Sequence, residues 1–190
     1  SVLSEEEIKN RYYTDILDPD FENLQIPTRL MHDITLPVQG AKGSDIKWSS
    51  SDVACVTEQG KVTVSDEEKQ VMLTATVSFG GRSKVKRFLV TVVSQNSEEY
   101  FDYLYDNYDI GISYVTTNIT LPTELNGVNI SWSSNNTAIN KQGEVTRPAV
   151  GTGDQPVELT ATFSKNGTSK DKKFNVTVAE ANYGYLLTYV

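Results

Sequence analysis

Few side chains in this 190-residue sequence are suited to chemistry. Trp48 and Trp132 could stack on a sugar ring. Cys55 could serve as a nucleophile, but it is the sole cysteine, and His32, the sole histidine, lies far off in sequence. A thiol without a nearby base is expected to behave as a small buried hydrophobe. One histidine makes no histidine-rich zinc site. The carboxylates cluster at Glu5–Glu7, Asp66–Glu68 and Glu98-Glu99. A glycosidase needs two acids across one bond, whereas these clusters read as helix starts and turns, where acids are solvated or favoured by the helix dipole. Gly151-Thr152-Gly153-Asp154 lacks the lysine of a phosphate loop. No calcium loop is present. No catalytic, metal or cofactor-binding residue is assigned from the sequence.

The most ambiguous segment is the aromatic run at 100–108, YFDYLYDNY. At helical spacing Phe101, Leu104, Tyr105 and Tyr108 share a face, while Tyr100 and Tyr103 point elsewhere. Tyr100, Tyr103, Tyr105 and Tyr108 are therefore candidates for glycan contact or for packing where two domains meet.

The surroundings of these residues repeat. Ile34-Thr35-Leu36-Pro37 recurs as Ile119-Thr120-Leu121-Pro122, and Ile46-Lys47-Trp48-Ser49-Ser50 as Ile130-Ser131-Trp132-Ser133-Ser134. Gly60-Lys61-Val62-Thr63 recurs as Gly143-Glu144-Val145-Thr146. The runs 71–77 and 88–92 recur as 157–163 and 174–178. All five offsets lie between 83 and 86. A phrase duplicated at domain spacing marks a duplicated domain, so both tryptophans are read as core residues.

Alternation of Val71, Leu73, Ala75 and Val77 with polar neighbours predicts half-buried antiparallel strands. Asn166-Gly167 and Gly80-Gly81 supply two-residue hairpin turns. The expected class is all-β: two tandem Ig-like β-sandwiches, at 1–94 and 95–179, each prefaced by a short helix, with 180–190 a tail or the start of a following domain. Ser4 and Glu7 form a capping box at the first helix. Ser97 opens the second. Matching Ile8 and Tyr12 to Phe101 and Tyr105 gives an offset of 93, which implies about eight inserted residues before the first Ile-Thr-Leu-Pro. His32 would lie in that insertion. Only Ser94, Gln95 and Asn96 separate the two units, so a stiff two-domain rod is expected.

The repeated blocks resemble the atrophied bacterial Ig domains, whose pattern runs LP, I-x-W-S-S, G-x-V-T-R-P, V-x-L-T-A-T and F-x-V-T-V. The second copy matches through Gly143–Pro148; the first departs at Val64-Ser65, where Arg-Pro is absent. The resemblance implies a non-catalytic spacer in a secreted or cell-surface bacterial protein, accessory to a glycoside hydrolase; the alternative is an adhesion or carbohydrate-binding module. The run Gly184-Tyr185-Leu186-Leu187 looks like the opening strand of a five-bladed propeller glycosidase.

A net charge of -8 without a basic run argues against nucleic acid and anionic membrane surfaces as partners. No apolar run reaches the roughly 20 residues of a membrane span. The expected partners are neighbouring domains of one parent chain, with polysaccharide as an option, and a monomer is expected. With no initiator methionine, the chain reads as a piece of a longer protein.

Overall fold

The computed structural model describes residues 1–182 and divides the chain into two compact units, Ser1–Tyr100 and Phe101–Val190. The propeller-like run from Gly184 lies outside the described residues. The first unit opens with α1 (Glu5–Tyr12), a π-helical turn (Tyr13–Leu17) and α2 (Asp18–Asn23). Ser4 Oγ accepts from Glu7 N–H and Glu7 Oε2 accepts from Ser4 N–H at 2.7 Å, completing the capping box. The π turn ends directly before Asp18-Pro19. Pro19 has no N–H to donate and its ring crowds the carbonyl four residues back, so a widened turn lets the helix continue.

The strands of the first unit are β1 (Arg29–Leu30), β2 (Asp45–Ser50), β3 (Lys69–Phe79) and β4 (Arg82–Val92). They form one sheet in the order β1-β4-β3-β2. β3 and β4 are antiparallel over their full length, from Lys69 opposite Val92 to Phe79 opposite Arg82. β1 runs parallel to β4. Gly80 and Gly81 close the hairpin with φ of 60° and 81°, the doubly left-handed turn that the strand twist favours.

After α3 (Glu98–Asn107), the second unit repeats this plan with β5 (Tyr114–Val115), β6 (Glu124–Leu125), β7 (Val128–Ser134), β8 (Gln155–Lys165) and β9 (Thr168–Val178). The order is β5-β9-β8-β7-β6, with β5 parallel to β9. Asn166 and Gly167 turn β8 into β9 with φ of 50° and 81°. The boundary between the units falls within α3, between Tyr100 and Phe101.

One face of each sheet is apolar. Val71, Leu73, Ala75 and Val77 are fully buried, as are Leu159, Ala161 and Phe163. Each such side chain contributes roughly 1.5–3 kcal/mol by leaving water, Ala less. The layer facing the sheet differs from the two full sheets of an ordinary sandwich. In the first unit it includes Leu17 from the π-helical turn, Leu24 just past α2, Ile26, Leu36, Cys55 and Val56. The loop segments in that layer pair only through single bridges such as Val56 to Val62, matched by Ile139 to Val145 in the second unit. The fold is all-β in class, with two tandem Ig-like domains whose second layer is reduced.

The helix register corrects the sequence alignment. Leu17 and Phe101 are both buried, Asp18 and Asp102 each pair with the equivalent lysine (Lys84, Lys170), and the carbonyls of Phe21 and Tyr105 accept from Lys86 and Lys172. The helix offset is thus 84, like the rest of the repeat. The extra residues are α1, an extension at the front of the first helix, which buries none of its side chains. No insertion precedes the first Ile-Thr-Leu-Pro, and His32 sits in a loop of ordinary length. The capping-box likeness of Ser4 and Ser97 misled the alignment, because a cap marks where a helix starts and not which face it packs.

Candidate functional site

The aromatic residues converge within each domain. In the second, Tyr108 lies 5.5 Å from Phe163, 5.8 Å from Phe174 and 6.4 Å from Trp132, centroid to centroid. Tyr105 meets Phe163 edge-on at 5.4 Å, and its hydroxyl donates to Asp171 O. These are packing geometries between α3 and the inner face of its own sheet. Burial, with Asp109 beside it, pushes the Tyr108 phenol above its ordinary pKa. Tyr100 is buried in the first unit, and Tyr103 is half-buried in the second. Tyr105 and Tyr108 thus pack against the core of the second unit.

Trp48 and Trp132 are each 9% exposed. Trp48 Nε1–H donates to Pro37 O at 2.7 Å and Trp132 Nε1–H to Pro122 O at 2.8 Å. The Leu-Pro block and the Trp-Ser-Ser block thus repeat together because one supplies the acceptor for the other. Ser134 Oγ donates to Asn136 O, while Ser50 Oγ accepts from Asp52 N–H, so serines after the tryptophan hold the turn that follows.

The remaining candidates are also occupied by their own fold. Cys55 is buried, burial pushes its thiol pKa up, and its repeat partner Ile139 is wholly buried. His32 is exposed, with Nδ1 2.7 Å from Asp33 O. Among the described residues no group of three or more His, Cys, Asp or Glu side chains could hold a metal ion. The Gly151–Asp154 loop does bind an anion, but an internal one: Gly151 N–H and Gly153 N–H donate to Glu180 Oε2 at 2.7 and 3.2 Å. An open cleft of about 410 Å³ runs along Ser133–Thr137 and Asn140-Lys141 beside Trp132. Its asparagines are already engaged: Asn135 Oδ1 accepts from Glu158 N–H, Asn136 Oδ1 from Ala138 N–H, and Asn140 Oδ1 from Gln142 and Glu144 N–H.

Three structural devices escaped the sequence reading. Lys86 Nζ donates to the carbonyls of Phe21, Glu22 and Leu24, and Lys172 Nζ to those of Tyr105, Asp106 and Tyr108. A cation there satisfies the free carbonyls at a helix C-terminus. The signal was present: Lys86 shares the inward parity of Phe88 and Val90, so it needed a buried partner. Asp20, 4% exposed, accepts from Lys42 N–H and Ser44 N–H. Burial alone would raise its pKa; those hydrogen bonds outweigh it and hold the carboxyl below the ordinary range. A Cβ on Gly40 would stand 2.3 Å from the Asp20 carboxyl carbon, so that loop must carry glycine. The third device is a carbonyl contact. Gly60 and Gly143 have φ of 89° and 84°, and their carbonyls accept from Ile34 and Ile119 N–H at 2.9 Å.

Two reduced sandwiches whose repeated apolar residues pack their own cores define a pair of Ig-like domains. The family model for the atrophied bacterial Ig domain matches residues 14–95 and 103–181, and the chain belongs to that family. The first match begins at Thr14, in agreement with α1 being an extension. No curated protein matches the chain at a significant level. Among solved structures, mouse protocadherin-24 EC1-3 is 14% identical over 82% of this chain and 69% of its own, with a TM-score of 0.26. Drosophila N-cadherin EC1-4 is 10% identical over 85% and 46%, TM-score 0.28. A SusE-like surface located polysaccharide binding protein from Bacteroides thetaiotaomicron is 11% identical over 82% and 34%, TM-score 0.22. At these values the family assignment stands on the sequence match alone. No helix among the described residues is long and apolar enough to cross a membrane.

Proposed function

We propose that this chain is a non-catalytic spacer in a secreted or cell-surface bacterial protein, joining neighbouring domains of that protein and accessory to a glycoside hydrolase. One observation carries the reading: positions repeated between the two domains do structural work. Trp48 and Trp132 bond a proline carbonyl, Lys86 and Lys172 cap a helix, and Gly60 and Gly143 receive an isoleucine N–H. A duplicated site would have repeated its functional groups as well. Membership in the Ig-like family supports a structural role, and Glu7, Asp20 and Glu180 each bond backbone N–H groups of their own domain.

The test is electrophoresis of the intact chain through gels containing neutral or acidic plant and host polysaccharides, with chromogenic arabinoside, xyloside, galactoside and glucoside substrates assayed in parallel. The spacer reading expects unchanged mobility and no turnover. Retardation that free oligosaccharide reverses would establish the carbohydrate-binding alternative. Turnover that survives repurification and disappears on one carboxylate substitution would establish an enzyme.

A further inference from the structure

We propose that each domain is built to bear tension along the chain, through a shear clamp between its first and last strands. The inference deepens the spacer reading and rests on it. β1 and β4 are parallel, and so are β5 and β9. A pull that separates the two ends of a domain drags the first strand backward and the last strand forward along one axis. In parallel strands that motion slides the pair, so the bonds between them are loaded together. In the antiparallel β3–β4 hairpin, a pull on its two free ends would open the rungs one after another.

The clamp is the same in both domains. Thr91 N–H donates to Thr28 O at 2.8 Å and Val93 N–H to Leu30 O at 3.0 Å; Thr177 N–H donates to Ser113 O at 2.8 Å and Ala179 N–H to Val115 O at 3.0 Å. The last strand is central in its sheet, held on its other side by β3 or β8 over eleven residues. Beyond the clamp each exit is fastened again, by different chemistry. In the first domain Ser94 bridges Ser65 in parallel, and Gln95 N–H donates to Ser65 O at 2.8 Å. In the second, Arg147 donates to the carbonyls of Ala179 and Glu180, and Ala181 N–H to Pro148 O. The departure from the family pattern at Val64-Ser65 therefore falls where backbone pairing replaces the arginine.

Before tension reaches β1 or β5 it must extract the helix in front. A helix pulled from one end opens turn by turn, so it gives way first. Each domain should then lengthen in two events: a short one for the helix, and a long one when the clamp fails. The long event releases roughly 60–70 residues, about 210–240 Å of chain.

The test is to tether the intact chain by its two ends in tweezers and hold it at fixed load. Two long steps are expected, each preceded by a short one. Thr91→Pro removes a clamp donor on the β1 side and should shorten the dwell of one long step about tenfold, as losing one loaded hydrogen bond does. Thr177→Pro should do the same to the other. Val71→Ala truncates the core without touching the clamp. It should lower the denaturant midpoint while shortening the dwell under load less than Thr91→Pro does. Arg147→Gln, which leaves every strand pair intact, should weaken only the second domain's long step, and it decides the matter should a proline variant not fold. Dwell times that follow equilibrium stability alone, or that are indifferent to Arg147→Gln, would overturn the clamp. Gel retention by polysaccharide would instead overturn the spacer reading and leave the clamp standing.

Discussion

Lys172 Nζ and the carbonyl oxygen of Tyr108 lie 2.8 Å apart, joining the centre of the sheet to the last residues of the helix that covers it. The same ammonium reaches Tyr105 O at 2.7 Å and sits 5.2 Å from the Tyr105 ring centroid. Lys86 repeats the arrangement in the first domain. Replacing either with methionine keeps the stem and removes the donor. Lys172→Met should destabilise the second domain by about 1.5–3 kcal/mol, and Lys86→Met the first by a similar amount. For domains of this size that is several degrees in Tm per kcal/mol. Thermal scans of the two variants should each move one transition and leave the other.

Asp20 makes the first domain sensitive to acid. Its folded pKa is depressed, so its stabilising contribution is present above the unfolded carboxylate pKa and is lost as pH falls through the folded value. Asp20→Ala leaves the N–H groups of Lys42 and Ser44 without their acceptor, a cost of about 1–3 kcal/mol at neutral pH. Urea midpoints measured from pH 7 down to pH 3 should converge for the parent and Asp20→Ala as acid is added. A constant gap across that range would show that the carboxylate charge is not what holds the loop.

Gly60 and Gly143 are predicted to resist substitution. A Cβ at either would stand 2.1 Å from a backbone oxygen, that of Ile34 or Ile119, and the positive φ strains any side chain there. Gly143→Ala should cost at least about 2 kcal/mol, whereas Gly81→Ala meets no atom within 4 Å and should cost only its left-handed backbone. Denaturant melts of the two variants give the comparison directly.

The strands were legible because period-two alternation and the paired turn glycines report which face is buried without any partner being known. The tryptophans were legible as core for a related reason: a residue repeated with its domain belongs to the domain's construction. The helix register was not legible. Ser4 and Ser97 carry the same capping signal, while the true equivalence, Leu17 with Phe101 and Phe21 with Tyr105, depends on which helical turn meets Lys86 or Lys172. The Asp20 loop was invisible because its bonds run from a helix to backbone groups more than twenty residues away. The reduced second layer was hidden because isolated bridges such as Val56 to Val62 leave no periodic pattern.

Whether the repeated aromatic residues are keel or binding platform is decided most directly by unfolding Trp132→Ala. With Trp132 removed, Trp48 alone reports the first domain by fluorescence, while circular dichroism follows the whole chain. The account predicts that the second domain loses about 3–5 kcal/mol while the Trp48 transition stays where the parent has it. A Trp132→Ala chain that melts like the parent in both signals would place that ring at the surface and contradict the account.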